Sequence, residues 1–390
     1  MKNPKLYIDQ LTDIENFILS MIPVDYEQSN IHYYEKLDDN ELFKASKDNL
    51  VDSIIGYRLM NEYGSDNISS NWVKAYEKVE REISLYLEEL DRVADLFSKK
   101  NIRLIALKNS GIARAIYPYP GLVPMGDVDT LVKRSNFIDA HKILIENGYE
   151  IASPNKYHKA DANIGYRTGG SEYKTTLSNG QQLWFELQWR PVEGRFLRPD
   201  QEPNGNELID RSISIPGTKL RILSPDDNLL QVCLHTAKHS YVRAPGFRLH
   251  LDADRIINCQ NVNWNSFIKN VIEHQVEIPT YFSLSIPKSI FGTEIPKEVI
   301  EKIKPGNIRK IILTNWIKKV GIMNPNKKKF GKISYIIWNM FLYDNLFGLI
   351  RSVFPKAKWL KNYYGFSNGF YLPYYYLKRI FELLFQRMQT

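Results

Sequence analysis

Nine residues, Pro118 to Gly126 (PYPGLVPMG), hold three prolines and two glycines. No helix or central strand runs through such a stretch. Proline lacks the amide donor and clashes with the preceding turn, and glycine loses the most chain entropy on ordering. The chain must therefore break here into a loop. Before it stands a short apolar run, Arg103 to Leu107 (RLIAL), then Lys108-Asn109-Ser110-Gly111 and a brief helix-like segment, Ile112 to Tyr117. After it, Asp127 to Val132 (DVDTLV) opens with polar–apolar alternation and ends apolar, which predicts a short strand. Ser135 is placed to cap an amphipathic helix that runs through Asn147 and closes at Gly148.

The flanks have a different period. Residues 9–22, 49–63 and 71–100 carry apolar side chains at three- and four-residue steps, predicting helices, the last of them the clearest. Ile164 to Tyr166, Tyr173 to Leu177 and Leu183 to Trp189 read as strands, with Ser178-Asn179-Gly180 as a hairpin turn. Ser224-Pro225-Asp226-Asp227 is a helix start, with a capping serine, proline at the first position and acids in the first turn. That helix is expected to reach Ser240, and the remainder reads mostly helical. The expected class is α+β: an N-terminal helical region (1–100), a mixed, antiparallel-rich core (101–222) and a C-terminal helical lobe (223–390).

Composition narrows the options. With 43% hydrophobic and 25% charged residues the chain is a folded protein, not a disordered or collagen-like one. Two cysteines, Cys233 and Cys259, make no disulfide framework, and no CxxC or Cys/His cluster suggests zinc. A reducing cytoplasm is the expected setting. The long apolar stretch Ile333 to Ile350 is broken by Asn339, Asp344, Asn345 and Gly348, so no transmembrane span is expected. Charge is uneven. Residues 301–390 hold 17 basic and 3 acidic side chains, a net +14, whereas the first 300 hold 35 and 41, a net −6. Sixteen of the 49 aromatics fall between Phe330 and Tyr376. Any basic-surface argument belongs to the last quarter.

On a strand, residues two apart share a face, so Asp127 and Asp129 project together. Paired carboxylates repel and raise each other's pKa unless a cation lies between them, and oxygen-only ligands suit Mg²⁺ or Mn²⁺. A third carboxylate is expected from a neighbouring strand, and Glu186, set among apolar residues in Trp184-Phe185-Glu186-Leu187-Gln188-Trp189, supplies one. The plain alternative is a solvated strand edge, with Glu186 paired to Arg190 or Lys174. His235 and His239 lie four apart on one helical face, but the segment reads HTAKH, without the glutamate of a zinc protease or an evident third ligand.

Residues 104–149, LIALKNSGIARAIYPYPGLVPMGDVDTLVKRSNFIDAHKILIENGY, resemble the uncharacterised bacterial nucleotidyltransferases of the DNA polymerase β superfamily. That family has a Lys-Gly strand end, a Tyr-Pro-Gly loop, a "DiDlLV" strand, a helix ending in Gly-Tyr, a later "E-x-H-W" strand, and then paired histidines and an "RL…D" segment. Glu186-Leu187-Gln188-Trp189, His235, His239, Arg248-Leu249 and Asp252 follow that order here. The chain departs from the pattern at Asn109 (for glycine), at Leu122-Val123-Pro124-Met125 (where an arginine is usual) and at Gln188 (for histidine). The resemblance implies a polymerase β-like core with a mixed sheet and flanking helices. It also implies Mg²⁺- or Mn²⁺-dependent transfer of a nucleotide from an NTP, ATP foremost, to an acceptor that stays open: a small molecule, a peptide or a protein hydroxyl.

By the same resemblance Asp127, Asp129 and Glu186 are the catalytic and metal-binding acids. Lys108, Asn109, Ser110, Gly111 and Gly126 face the phosphates, and His235, His239 and Arg248 serve the substrate pocket. The alternatives are a catalytically impaired nucleotide- or partner-binding module and a nucleic-acid modifier. For the basic C-terminal segment the plain reading is an aromatic-cored lobe with a solvated face. Nucleic-acid binding is second, and contact with an anionic membrane, on Tyr335, Trp338, Phe341 and Leu342, third.

Overall fold

The computed structural model describes residues 6–8, 10–152, 161–192 and 202–383. Four helices precede the sheet: α1 (Asp13–Met21), α2 (Asp39–Asp48), α3 (Asp52–Tyr63) and the 29-residue α4 (Ser70–Ser98). A capping box between Thr12 and Glu15 starts α1, and Ser69 caps α4. The stripe of α4 is buried at Trp72, Tyr76, Ile83, Tyr86, Leu90 and Val93. Helix α3 lies directly on α4 because Gly56 lets the backbones meet: a Cβ there would stand 2.6 Å from the Trp72 carbonyl oxygen.

The middle of the chain builds one seven-stranded sheet. Its elements are β1 (Ile105–Ala106), α5 (Lys108–Gly111), β2 (Val128–Leu131), α6 (Phe137–Glu146), β3 (Glu150–Ile151), α7 (Ala162–Thr168), β4 (Gly170–Thr176), β5 (Gln182–Gln188), α8 (Gly205–Arg211), β6 (Ile213–Ser214) and β7 (Arg221–Ile222). The strand order is β3-β4-β5-β2-β1-β7-β6. The β2–β5 and β1–β7 pairs are parallel and the others antiparallel. The sheet is thus mixed and antiparallel-rich, as expected.

Two local expectations fail. Ile164 to Tyr166 belongs to helix α7, not to a strand. The Asp161 carboxylate accepts from the Asn163 amide at 2.8 Å and caps a turn that β-propensity could not hold open. Ser135 sits in a 3₁₀ turn, Arg134–Asn136, and α6 starts directly after that turn, at Phe137, without a side-chain cap.

The remainder is helical: α9 (Pro225–Lys238), α10 (Leu249–Cys259), α11 (Trp264–Glu273), α12 (Glu277–Ile290), α13 (Lys297–Lys302), α14 (Asn307–Val320), α15 (Lys332–Phe341), α16 (Leu346–Val353), α17 (Ala357–Tyr364) and α18 (Leu372–Phe381). Ser224 caps α9, with Pro225 at its first position. One cluster of buried apolar side chains runs from Tyr7 to Tyr343, so the flanking helices share the core of the sheet.

The aromatic-rich segment splits in two. Tyr335, Trp338 and Leu342 are buried, with Trp338 meeting Trp316, Phe330 and Tyr241 edge-on or tilted. The outward face of α15 is instead Ile333, Ile337 and Met340. Lys329 is also not a free surface charge, since its ammonium donates to the carbonyls of Gly321 at 2.8 Å and Met323 at 2.5 Å.

Candidate active site

Parallel pairing of β2 with β5 sets Asp129 opposite Glu186 and Val128 opposite Phe185. Same-face side chains on neighbouring strands stand side by side, roughly 5 Å apart. Asp127, just ahead of β2, shares the face of Asp129. One carboxylate oxygen from each of Asp127, Asp129 and Glu186 lies within 4.8 Å of the others. Among the described residues this is the one convergent group of three or more metal-capable side chains. The pairings weighed for a plain structural Glu186 go elsewhere: Lys174 meets Glu150 at 3.0 Å, and Arg190 clasps Glu202.

Lys108 completes the cluster. It takes φ +50° at the turn from β1 into α5, a left-handed conformation that costs a non-glycine residue on the order of 1 kcal/mol or more. Its ammonium stands 2.5 Å from Asp129 Oδ1 and 3.7 Å from Glu186 Oε2, and its side chain is 11% exposed. Burial opposes its charge, yet the facing carboxylates hold its pKa above the usual lysine value.

The acids respond unequally. Burial disfavours ionisation of Asp129, but the Lys108 ammonium outweighs that and keeps the carboxyl below its ordinary value. Desolvation and the Asp129 charge push Asp127 up to about 6. Desolvation, only partly offset by Lys108, pushes Glu186 up to about 8. The trio is an oxygen-only donor set short of positive charge, with an ammonium drawn into it. That is the chemistry of a hard divalent cation site.

The residues around the acids hold the strand. Gln188 donates to Asp129 Oδ1 at 3.2 Å. Ser110 is fully buried, and its hydroxyl accepts the Asp129 amide at 2.9 Å. Gly111 lies against β1, where a Cβ would stand 3.0 Å from the Ala106 carbonyl oxygen. Gly126 is exposed with open space above it. With its amide nitrogen facing Asp252, Asn109 donates to both carboxylate oxygens at 3.0 and 3.3 Å.

Asp252 in turn lies 3.6 Å from Arg255. Arg255 donates to the Leu122 carbonyl at 2.5 Å and stacks over Tyr117, while Arg248 donates to the Pro124 carbonyl. These buried cations fasten the proline-rich loop that delivers Asp127. A hydrogen bond from a charged donor contributes roughly 1.5–3 kcal/mol.

A cleft of about 240 Å³ opens beside the acids, lined by Lys108, Glu186 and Gln188 on one wall and Gln231, His235 and Lys238 on the other. Burial and Lys108 hold His235 well below its ordinary pKa, and burial and Lys238 bring His239 down to about 4, so both are neutral at pH 7. The rings are 4.8 Å apart, but His239 Nδ1 donates to the Ala244 carbonyl at 2.7 Å, away from the cleft.

The structure thus places Lys108, Asp127, Asp129, Glu186 and His235 at one site. It sets Asn109, Ser110 and Arg248 in supporting contacts. Sequence reasoning named Gln188 and Asp252 only as motif positions, without a role, and passed over Lys238 and Arg255. Gln188 was within reach, because it shares Glu186's face of β5. No curated protein matches the chain. A sequence profile does match it, over residues 35–292. That match spans most of the chain and includes every residue of the cleft and acidic cluster named above. The chain belongs to the uncharacterised nucleotidyltransferase family.

Proposed function

We infer that this chain moves a nucleoside monophosphate from an NTP, ATP foremost, to a hydroxyl of a separate acceptor. The observation that carries the reading is the convergence of Asp127, Asp129 and Glu186 within 4.8 Å on paired strands in a nucleotidyltransferase-family chain. These three would hold Mg²⁺ or Mn²⁺, which supplies Lewis-acid stabilisation of charge on the transferring phosphoryl group and on the leaving pyrophosphate.

The chain's own residues do the rest. Gln188 and the Ser110 hydroxyl fix Asp129. Lys108 and Lys238 line the cleft with positive charge suited to a triphosphate. In the reaction the acceptor oxygen bonds to the α-phosphorus as its bond to the bridging oxygen breaks. The electron pair leaves on pyrophosphate, and the acceptor's proton passes to a carboxylate of the cluster. Neutral His235, across the cleft from Glu186, offers a hydrogen bond without adding charge.

The test is incubation of the protein with each α-³²P-labelled NTP and Mg²⁺ in host lysate, followed by identification of what is labelled. Label transferred by the wild type and lost by more than about 10²-fold in Asp129→Asn supports the reading. Equal labelling by the two refutes it. Nucleotide binding with no transfer to any lysate fraction assigns the chain to the impaired binding module instead.

A further inference from the structure

We propose that the C-terminal helices seat the protein on an anionic bilayer surface, with apolar side chains in the headgroup–acyl boundary and lysines on the lipid phosphates. Among the described residues, 23 large hydrophobics are exposed, and 15 of them lie from Ile308 onward. So dense a set is not the scatter a soluble surface carries.

They form faces. Helix α15 presents Ile333, Ile337 and Met340, one and two turns apart. Helix α16 presents Leu346, Phe347 and Ile350, and Phe354 follows on the same side. Helix α18, fastened to α16 by the Arg379 guanidinium on the Ser352 carbonyl, presents Tyr374, Leu377 and Phe381. Phe370, just before it, is 84% exposed. No helix among the described residues is long and apolar enough to cross a membrane. These are short amphipathic helices, suited to lying in an interface rather than spanning it.

Charge selects the occupant. The segment from 301 onward carries 17 basic and 3 acidic residues. Lys327, Lys328, Lys356 and Lys358 are all exposed. A second copy of this surface would meet its own like charge. Nine of the 15 exposed side chains are aliphatic and so offer nothing to a stacked nucleic-acid base, whereas acyl chains accept them fully. Anionic lipid answers both the apolar and the basic component, and each lysine near such a surface strengthens binding measurably. The family match covers residues 35–292, and this surface lies outside it. The proposal does not depend on nucleotidyl transfer.

The experiment is co-sedimentation of the full-length protein with vesicles of phosphatidylcholine alone and of phosphatidylcholine mixed with phosphatidylglycerol, across salt concentrations. Partitioning onto the anionic vesicles is expected to exceed that onto neutral ones at least about tenfold at low salt, and to weaken but persist as salt rises. Leu346→Ser/Phe347→Ser/Ile350→Ser should lose about tenfold or more. Phe370→Ser/Leu377→Ser, on another helix, should weaken binding in the same direction, each variant being checked for an unchanged melting curve. Lys327→Gln/Lys328→Gln/Lys356→Gln/Lys358→Gln should remove the preference for anionic lipid. Equal binding to both vesicles, or full binding by both serine variants, overturns the proposal. So does a dimer by light scattering that the serine variants disperse without any vesicle binding, or tight binding of single-stranded RNA by a protein that ignores vesicles.

Discussion

Replacing Lys108 by methionine isolates the electrostatics of the acidic cluster. Methionine keeps most of the apolar stem and leaves the φ of +50° no worse strained, so the change removes chiefly the ammonium. That ammonium is 2.5 Å from Asp129 Oδ1, and the two side chains are 11% and 7% exposed. Breaking a buried pair by deleting one partner costs roughly 3–5 kcal/mol, because the other charge is left uncompensated.

A ceiling applies. Asp129 can escape by taking up a proton, and from a reference value of 3.8 that costs about 4 kcal/mol at pH 7 but under about 2 kcal/mol at pH 5. In the variant the folded-state pKa of Asp129 is raised above its unfolded value. Its stability deficit is therefore small near the unfolded value and grows as pH rises. Thermal unfolding in chelator should show Lys108→Met melting roughly 4–5 °C below wild type at pH 7, with less than half that gap at pH 5. Adding Mg²⁺ at pH 7 should raise the variant's melting temperature by more than the wild type's, since the ion no longer competes with an ammonium. A variant that melts with wild type at pH 7 in chelator, or a gap that does not shrink at pH 5, would refute the reasoning.

Two further outcomes test other parts of the molecule. His250 is fully buried, its Nε2–H donates to the Tyr241 carbonyl at 3.0 Å, its Nδ1 has no partner, and burial lowers its pKa to about 4. Its folded value is depressed, so the stability it confers is complete above about pH 6.5 and lost as pH falls toward 4. Between pH 7 and 5 the loss is about 2 kcal/mol, and urea unfolding of His250→Gln should show that much less acid sensitivity than wild type. In the lysine run, Lys329→Gln should cost about 1–2 kcal/mol by urea unfolding because two carbonyls lose their donor. Lys327→Gln/Lys328→Gln should stay within about 0.5 kcal/mol of wild type, and equal losses for the two would show that the three lysines are equivalent.

Much of the site was legible because it rests on period-two geometry. Alternation in GDVDTLV puts Asp127 and Asp129 on one face, and a carboxylate among apolar neighbours marks Glu186 as needing a partner. What was not legible depends on tertiary pairing. Nothing local says that Lys108, expected to face the phosphates, folds back through a left-handed turn onto Asp129. The partners of Arg255 and Arg248 are backbone carbonyls of Leu122 and Pro124, and carbonyls carry no sequence signature. Ile164 to Tyr166 misled because its β-branched and aromatic content speaks for a strand, while the decisive term was one capping bond from Asp161. For the far C-terminal aromatics the sequence predicts a core, and only part of them forms one. The split between buried Trp338 and exposed Phe347 follows from which face the preceding helices had already covered.

The pairing of β2 with β5 has a bearing on when the protein can hold an ion at all. Fifty-six positions separate Thr130 from Glu186, whose carbonyl accepts the threonine hydroxyl. Closing a loop of that length costs on the order of 3–4 kcal/mol of chain entropy before any contact offsets it. A growing chain that has released only Asp127 and Asp129 carries two carboxylates and no enclosing third, a poor competitor for metal against cellular phosphates and water. Chelating strength arrives abruptly, when the β4–β5 hairpin docks. Ion capture thereby becomes a report on completed folding, and substitutions that loosen the hairpin far from any acid will register first as lost metal affinity.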